Sequence, residues 1–153
     1  MIHIDKKLIS ELFDKALVNP RLRHSFDLCN PDNSGQRMLN ALMLGTSVPI
    51  HRYSNSNENA ILICGKLVEI IYDNDGNEKD RIHLNSTVGS FGCVVPTGAW
   101  HTVEILDPSV ICEAKDGKYG EDGSETLDEY RAKLTGKTTD NKSFSNSLGD
   151  LKK

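Results

Sequence analysis

The stretch His51-Arg52-Tyr53-Ser54-Asn55-Ser56-Asn57-Glu58, running on through Asn59-Ala60-Ile61-Leu62-Ile63-Cys64 to Gly65, decides how this chain is read. A histidine opens it and a glutamate closes its polar half. An apolar run of strand character follows and ends at a glycine. Downstream, Pro96-Thr97-Gly98-Ala99-Trp100-His101 sets a tight Pro-Gly turn and delivers a second histidine at the mouth of another strand-like run. Two imidazoles and a carboxylate brought from separate strand ends are the donor types of a transition-metal site.

Outward from these two stretches the pattern is β. Runs at roughly 22–28, 36–44, 47–52, 59–64, 67–73, 80–84, 92–95, 101–106 and 109–115 alternate with Gly, Pro, Asn and Asp. Many short strands with turn signals between them predict an all-β sandwich or barrel. Asn74-Asp75-Gly76-Asn77 is the clearest hairpin turn, because these residues tolerate positive φ. Before the strands, residues 5–18 predict an amphipathic helix, with Asp5 as cap and Leu8, Ile9, Leu12, Phe13, Ala16 and Leu17 on one face. Asn19-Pro20 ends it. After Gly120 the composition turns polar. Thr126 and Glu129 form a capping-box pattern for a short helix, and Phe144, Leu148 and Leu151 are the apolar anchors of the tail. The expected organisation is one domain over residues 1–120 and a polar extension over 121–153, partly helical or disordered.

Gly45-x5-His51-x-Tyr53-x4-Glu58-x6-Gly65 resembles the first cupin motif, with Tyr53 where a second histidine is usual. Pro96-x-Gly98-x2-His101 resembles the core of the second. Asn19-Pro20-Arg21-Leu22-Arg23, Gln36-Arg37, Pro49-x-His51-Arg52, Trp100-His101-Thr102-Val103 and Glu113-x-Lys115-x-Gly117-x-Tyr119 are similar to the WbuC family of cupin-fold metalloproteins. That resemblance implies a cupin-type double-stranded β-helix, a jelly-roll barrel with an N-terminal helix. It also implies a bacterial metalloprotein linked to surface-polysaccharide gene clusters, and it allows a homodimer, since cupins often pair through strand edges.

On this reading His51, Glu58 and His101 hold one divalent transition metal; Fe, Mn, Ni and Zn all suit such donors. Read singly, each histidine would be an ordinary hydrogen-bonded residue and Glu58 a solvated one; the matched spacing is what joins them. Tyr53 is the departure that matters. A phenol is a poor ligand while protonated, because its ordinary pKa is about 10. Three outcomes stay open: a three-residue site with water, a site including Tyr53, or a cupin that has lost its metal. Tyr53 and Glu113 are the candidate proton-transfer groups, although pairing with an arginine is the plainer reading of Glu113. Arg21, Arg23, Arg37 and Arg52 are candidates to hold an anionic ligand, since the guanidinium fork matches carboxylate and phosphate. Strand-end salt bridges are the plainer reading of each. Cys29 is a candidate at the pocket or a small buried hydrophobe, and Trp100 packs or shields the site.

The net charge of −4, with scattered Lys and Arg, excludes a general nucleic-acid binder. No run approaches the roughly 18 apolar residues of a membrane span. Met1-Ile2-His3-Ile4-Asp5 lacks the order of a secretory signal, and the four cysteines form no CxxC pair, so a cytoplasmic protein with free thiols is expected. The function expected is a metal-dependent protein of sugar, nucleotide-sugar or small-carboxylate chemistry: an isomerase, epimerase or dioxygenase. The alternatives are a non-catalytic saccharide-binding or sensing module, and a structural part of a polysaccharide-assembly complex.

Overall fold

Asp5 starts the first element. Its carboxylate accepts the Leu8 N–H at 3.0 Å and caps helix α1, Lys6–Val18. The helix lays Leu12 and Ala16 on Leu39, Ala41 and Val110 of the sheet beneath. Asn19, extended before Pro20, ends it. The computed structural model describes residues 1–118 and 120–136; Tyr119, Phe144, Leu148 and Leu151 lie outside the described residues.

Eight strands follow: β1 (Arg23–Asp27), β2 (Gly35–Leu42), β3 (His51–Tyr53), β4 (Glu58–Tyr72), β5 (Glu78–Asn85), β6 (Gly92–Val95), β7 (Trp100–Asp116) and β8 (Ser124–Thr126). Helix α2, Leu127–Leu134, comes next, and Thr126 and Glu129 close its capping box. All strand pairs are antiparallel. One path runs β1-β2-β7-β3-β8; β4 lies against β7, and β5 and β6 both lie against β4. The sheet curls into a half-barrel. Leu42, Ala60, Leu62, Leu67, Leu84 and Ile111 fill its inside, each fully buried leucine contributing about 1.5–3 kcal/mol before ordering costs.

Two differences from the sequence reading matter. The runs 59–64 and 67–73 are one strand, β4, and the runs 101–106 and 109–115 are one strand, β7. Gly65 and Pro108, which read as breaks, instead sit where the β4–β7 register shifts. Gly65 has φ of 92°, and an added Cβ would collide with the Pro108 carbonyl. The second difference is β8, a three-residue strand that pairs with β3.

Candidate metal centre

The register places the chemistry. His51 lies opposite His101 across β3 and β7, and Ile71 of β4 lies opposite His101 on its other side. Glu58 lies opposite Lys115, and Ala60 opposite Glu113. Directly opposed residues share a face, so all these side chains point into the half-barrel. In the first half of β4 the inward positions are Glu58, Ala60 and Leu62; after the register shifts they are Leu67 and Glu69. The irregularity at Gly65 changes the phase of the alternation and turns Glu69 inward.

His51, Tyr53, Glu58, Glu69, His101 and Glu113 therefore line one cavity of about 20 Å³, with Leu42, Val48 and Val103 as its apolar wall. Donor atoms of Glu58, Glu69 and His101 lie within 4.8 Å of one another, and all three residues are buried. The His51 and His101 ring centroids are 4.3 Å apart. Each ring donates Nδ1–H to a backbone carbonyl: His51 to Pro49 at 2.8 Å, His101 to Ala99 at 2.9 Å. That bond fixes the ring and directs Nε2 the other way.

Burial and mutual charge set the protonation. Burial lowers His51 to about 3, helped by the His101 charge, so it is neutral. For His101 burial acts downward too, but the Glu58 carboxylate outweighs it and raises the ring to about 9. Glu58 is correspondingly lowered, against its own burial, by His101. Burial pushes Glu69 up to about 8, and burial with the Glu58 and Glu69 charges pushes Glu113 up to about 8.

These residues suit a divalent cation. His101 Nε2 is buried and faces Glu58 Oε1 at 3.4 Å without forming an aligned hydrogen bond. Three carboxyl groups line the cavity, and the ammonium of Lys115, opposite Glu58 on β7, is already paired with the buried Asp122 at 2.5 Å. Mixed imidazole and carboxylate donors match Fe, Mn, Ni or Zn.

The other candidates fall in different places. Tyr53 is in the cavity, but burial and the Glu58 and Glu113 charges raise its phenol well above 10, and Lys115 Nζ lies 3.4 Å from the ring centroid. Glu113 faces the cavity and pairs with no arginine among the described residues. Arg52 bonds Glu125 at 2.9 and 3.2 Å and lies 4.2 Å over Trp100 and 4.9 Å over Tyr130. Trp100 donates Nε1–H to Asn74 at 2.8 Å and braces the strand that carries His101. Arg21 and Arg23 line a separate groove with Gly45 and Ser47; Arg23 donates to the Ser47 carbonyl at 2.6 Å. Arg37 is exposed. Cys29 lines a third hollow with Asn30 and Gln36. Sequence reasoning passed over Glu69, for which Gly65 was the available signal, and named Lys115 only within the Glu113-x-Lys115 motif without a role at the site.

A family model described as a domain of unknown function, DUF6016, matches residues 4–84, more than half of the 153-residue chain. The chain belongs to the DUF6016 family. No curated protein matches this DUF6016 chain by sequence. Solved structures do. The capsular polysaccharide assembling protein CapF from Staphylococcus aureus superposes with a TM-score of 0.60 at 18% identity, over 72% of this chain and 33% of CapF. CapF has also been solved with the inhibitor 3-isopropenyl-tropolone. The Lactobacillus farciminis oxalate decarboxylase superposes with a TM-score of 0.55 at 11% identity, over 82% of this chain and 36% of the enzyme. The Schizosaccharomyces pombe Cnp3 cupin domain gives 0.51 at 10% identity, over 80% of this chain and 77% of that domain. The DUF6016 chain thus has the cupin fold, and it spans about a third of the length of CapF. No helix among the described residues is long and apolar enough to cross a membrane.

Proposed function

We propose that this chain is a metal-binding cupin that handles a small molecule. Its finer role, on this proposal, is an enzyme of sugar or nucleotide-sugar chemistry in bacterial surface-polysaccharide metabolism, acting in the cytoplasm. One observation carries the reading: Glu58, Glu69 and His101 converge, with donor atoms within 4.8 Å in a buried cavity beside His51. Likeness in fold to CapF and likeness in sequence to the WbuC family support the polysaccharide context.

A divalent ion held by Glu58, Glu69 and His101, with His51 as a further donor, would supply Lewis acidity. The chain's own residues do the rest. The Pro49 and Ala99 carbonyls orient the two rings. Glu113, pushed up to about 8, holds a proton at neutral pH and can pass it at its carboxyl oxygen. Tyr53 keeps its phenolic proton and can donate a hydrogen bond. Lys115 offsets part of the carboxylate charge. This donor set suits isomerisation, epimerisation or dioxygenation.

Elemental analysis of protein purified without an affinity tag tests the reading. One transition-metal ion per chain is expected. Protein that retains none of Fe, Mn, Ni or Zn after incubation with each would overturn it. The small cavity, about 20 Å³, favours a second reading, a binding module without turnover. A nucleotide-sugar that raises the melting temperature yet stays chemically unchanged would support that alternative.

A further inference from the structure

Glu69 also faces a second, larger cavity, of about 290 Å³. Glu69 is the common wall of the two. The register shows that this second space belongs to the inside of the half-barrel. Ile82 lies opposite Glu69, Asp80 opposite Ile71, Val95 opposite Glu58 and Cys93 opposite Ala60. Strands β5 and β6 each pair with β4 and not with one another, so the sheet stays open along that seam. Ile82 faces inward and is nevertheless 41% exposed. The wall is aliphatic: Ile71, Ile82, Val94, Val95, Pro96 and Ala99. Its other side chains with hetero atoms, besides Glu69, are the weakly polar thiol of Cys93 and the exposed Asp80 and Arg81, and the Arg81 guanidinium is engaged by Glu78.

We propose that this cavity takes the aliphatic body of a small molecule whose oxygen-donor head, a carboxylate or hydroxy-carbonyl, reaches the ion beside Glu69. The inference rests on the cation reading above and narrows its substrate class. A hydroxyl pressed on this wall would give up a water hydrogen bond without replacement. A sugar-derived ligand fits only through a face stripped of hydroxyl groups. The space also lies at the lower end of small-molecule sites, about 300–1,000 Å³, so a nucleotide would remain outside.

The test uses the full chain loaded with Co²⁺, titrated with aceto-, butyro- and hexanohydroxamate and followed by the visible absorption of the metal. Affinity is expected to rise about fourfold for each added methylene that is buried. Ile82→Trp fills the cavity and is expected to flatten that gradient. Equal affinities across the series in the native protein, or a gradient that survives in folded Ile82→Trp, would overturn the proposal. The native series decides alone where the variant does not fold. Failure to take up Co²⁺ defeats the cation reading and this inference together; uptake with a flat series defeats this inference only.

Discussion

His51 and His101 are held in the same way: each donates Nδ1–H to the carbonyl two residues earlier, Pro49 at 2.8 Å and Ala99 at 2.9 Å. A carbonyl oxygen only accepts, so Nδ1 carries a proton in both rings. The ring nitrogen left over, Nε2, is the one available to a cation in the cavity.

Removing a donor should therefore remove the ion. His101→Ala and Glu69→Gln are each expected to weaken metal binding by more than about 100-fold, beyond what loss of an outer partner costs. Arg37→Ala, exposed and outside the cavity lining, is expected to change nothing. Isothermal titration with Mn²⁺ or Ni²⁺ on the stripped proteins measures this. Unchanged affinity in Glu69→Gln would exclude Glu69 as a donor.

The stripped protein should lose stability as pH rises from 6.5 to 9. Glu69 and Glu113, raised to about 8, keep protons that the unfolded chain has released, and His101, raised to about 9, does the same. The unfolded state then binds fewer protons, so stability falls with pH. His51, lowered to about 3, is neutral in the folded state throughout; its unfolded imidazole, half protonated near 6.5, opposes the trend only at the lower edge of this window. A cation reverses the trend, because it replaces those protons and binds better as they leave. Thermal melts at the two pH values, with chelator and with Mn²⁺, check both signs; a difference of roughly 5 °C or more is expected in chelator.

Tyr53 is expected to stay a phenol. Its ionisation is opposed by burial and by the neighbouring carboxylates. Tyr53→Phe should leave metal affinity within about threefold, less than 1 kcal/mol. Fe³⁺-loaded protein should lack a phenolate-to-iron charge-transfer band; such a band in the native protein, lost in Tyr53→Phe, would make Tyr53 a ligand.

Arg52 ties α2 and β8 to the strand that carries His101. It bonds Glu125 and lies between Trp100 and Tyr130. Arg52→Ala is expected to cost about 1–3 kcal/mol, from a partly exposed ion pair and two ring contacts. Urea denaturation reads this, and a variant of native stability would make the sandwich incidental.

What could be read from the chain was local or motif-bound. Asp5 and the spacing of Leu8, Leu12 and Ala16 specify α1; Asn74 to Asn77 specify the β4–β5 turn; Thr126 and Glu129 specify the start of α2. Motif spacing pointed to His51, Glu58 and His101, and the three line one cavity. Glu69 escaped because strict alternation from Glu58 puts position 69 on the opposite face. Only the irregularity at Gly65 reverses that, and it depends on the close approach of Pro108 and Ser109, remote in sequence. The partners of the arginines were hidden for a related reason. Their partners, Glu125 for Arg52 and Ser47 for Arg23, are set by tertiary contact and not by neighbours in sequence.

Gly65→Ala tests that dependence. At φ of 92°, with the added Cβ meeting the Pro108 carbonyl, it is expected to destabilise by about 3 kcal/mol or more. It should also disturb metal binding through Glu69, whereas Gly89→Ala, with open space around it, should disturb stability less and metal binding not at all.

Lys115 has a quieter consequence. Its ammonium, paired with Asp122 and resting on Tyr53, gives the acidic interior a resident positive charge. Together with the proton kept by His101, it offsets part of the carboxylate charge without an ion, so the chain is expected to fold metal-free. A chain synthesised under metal starvation should then show native circular dichroism; an unfolded metal-free chain would refute this.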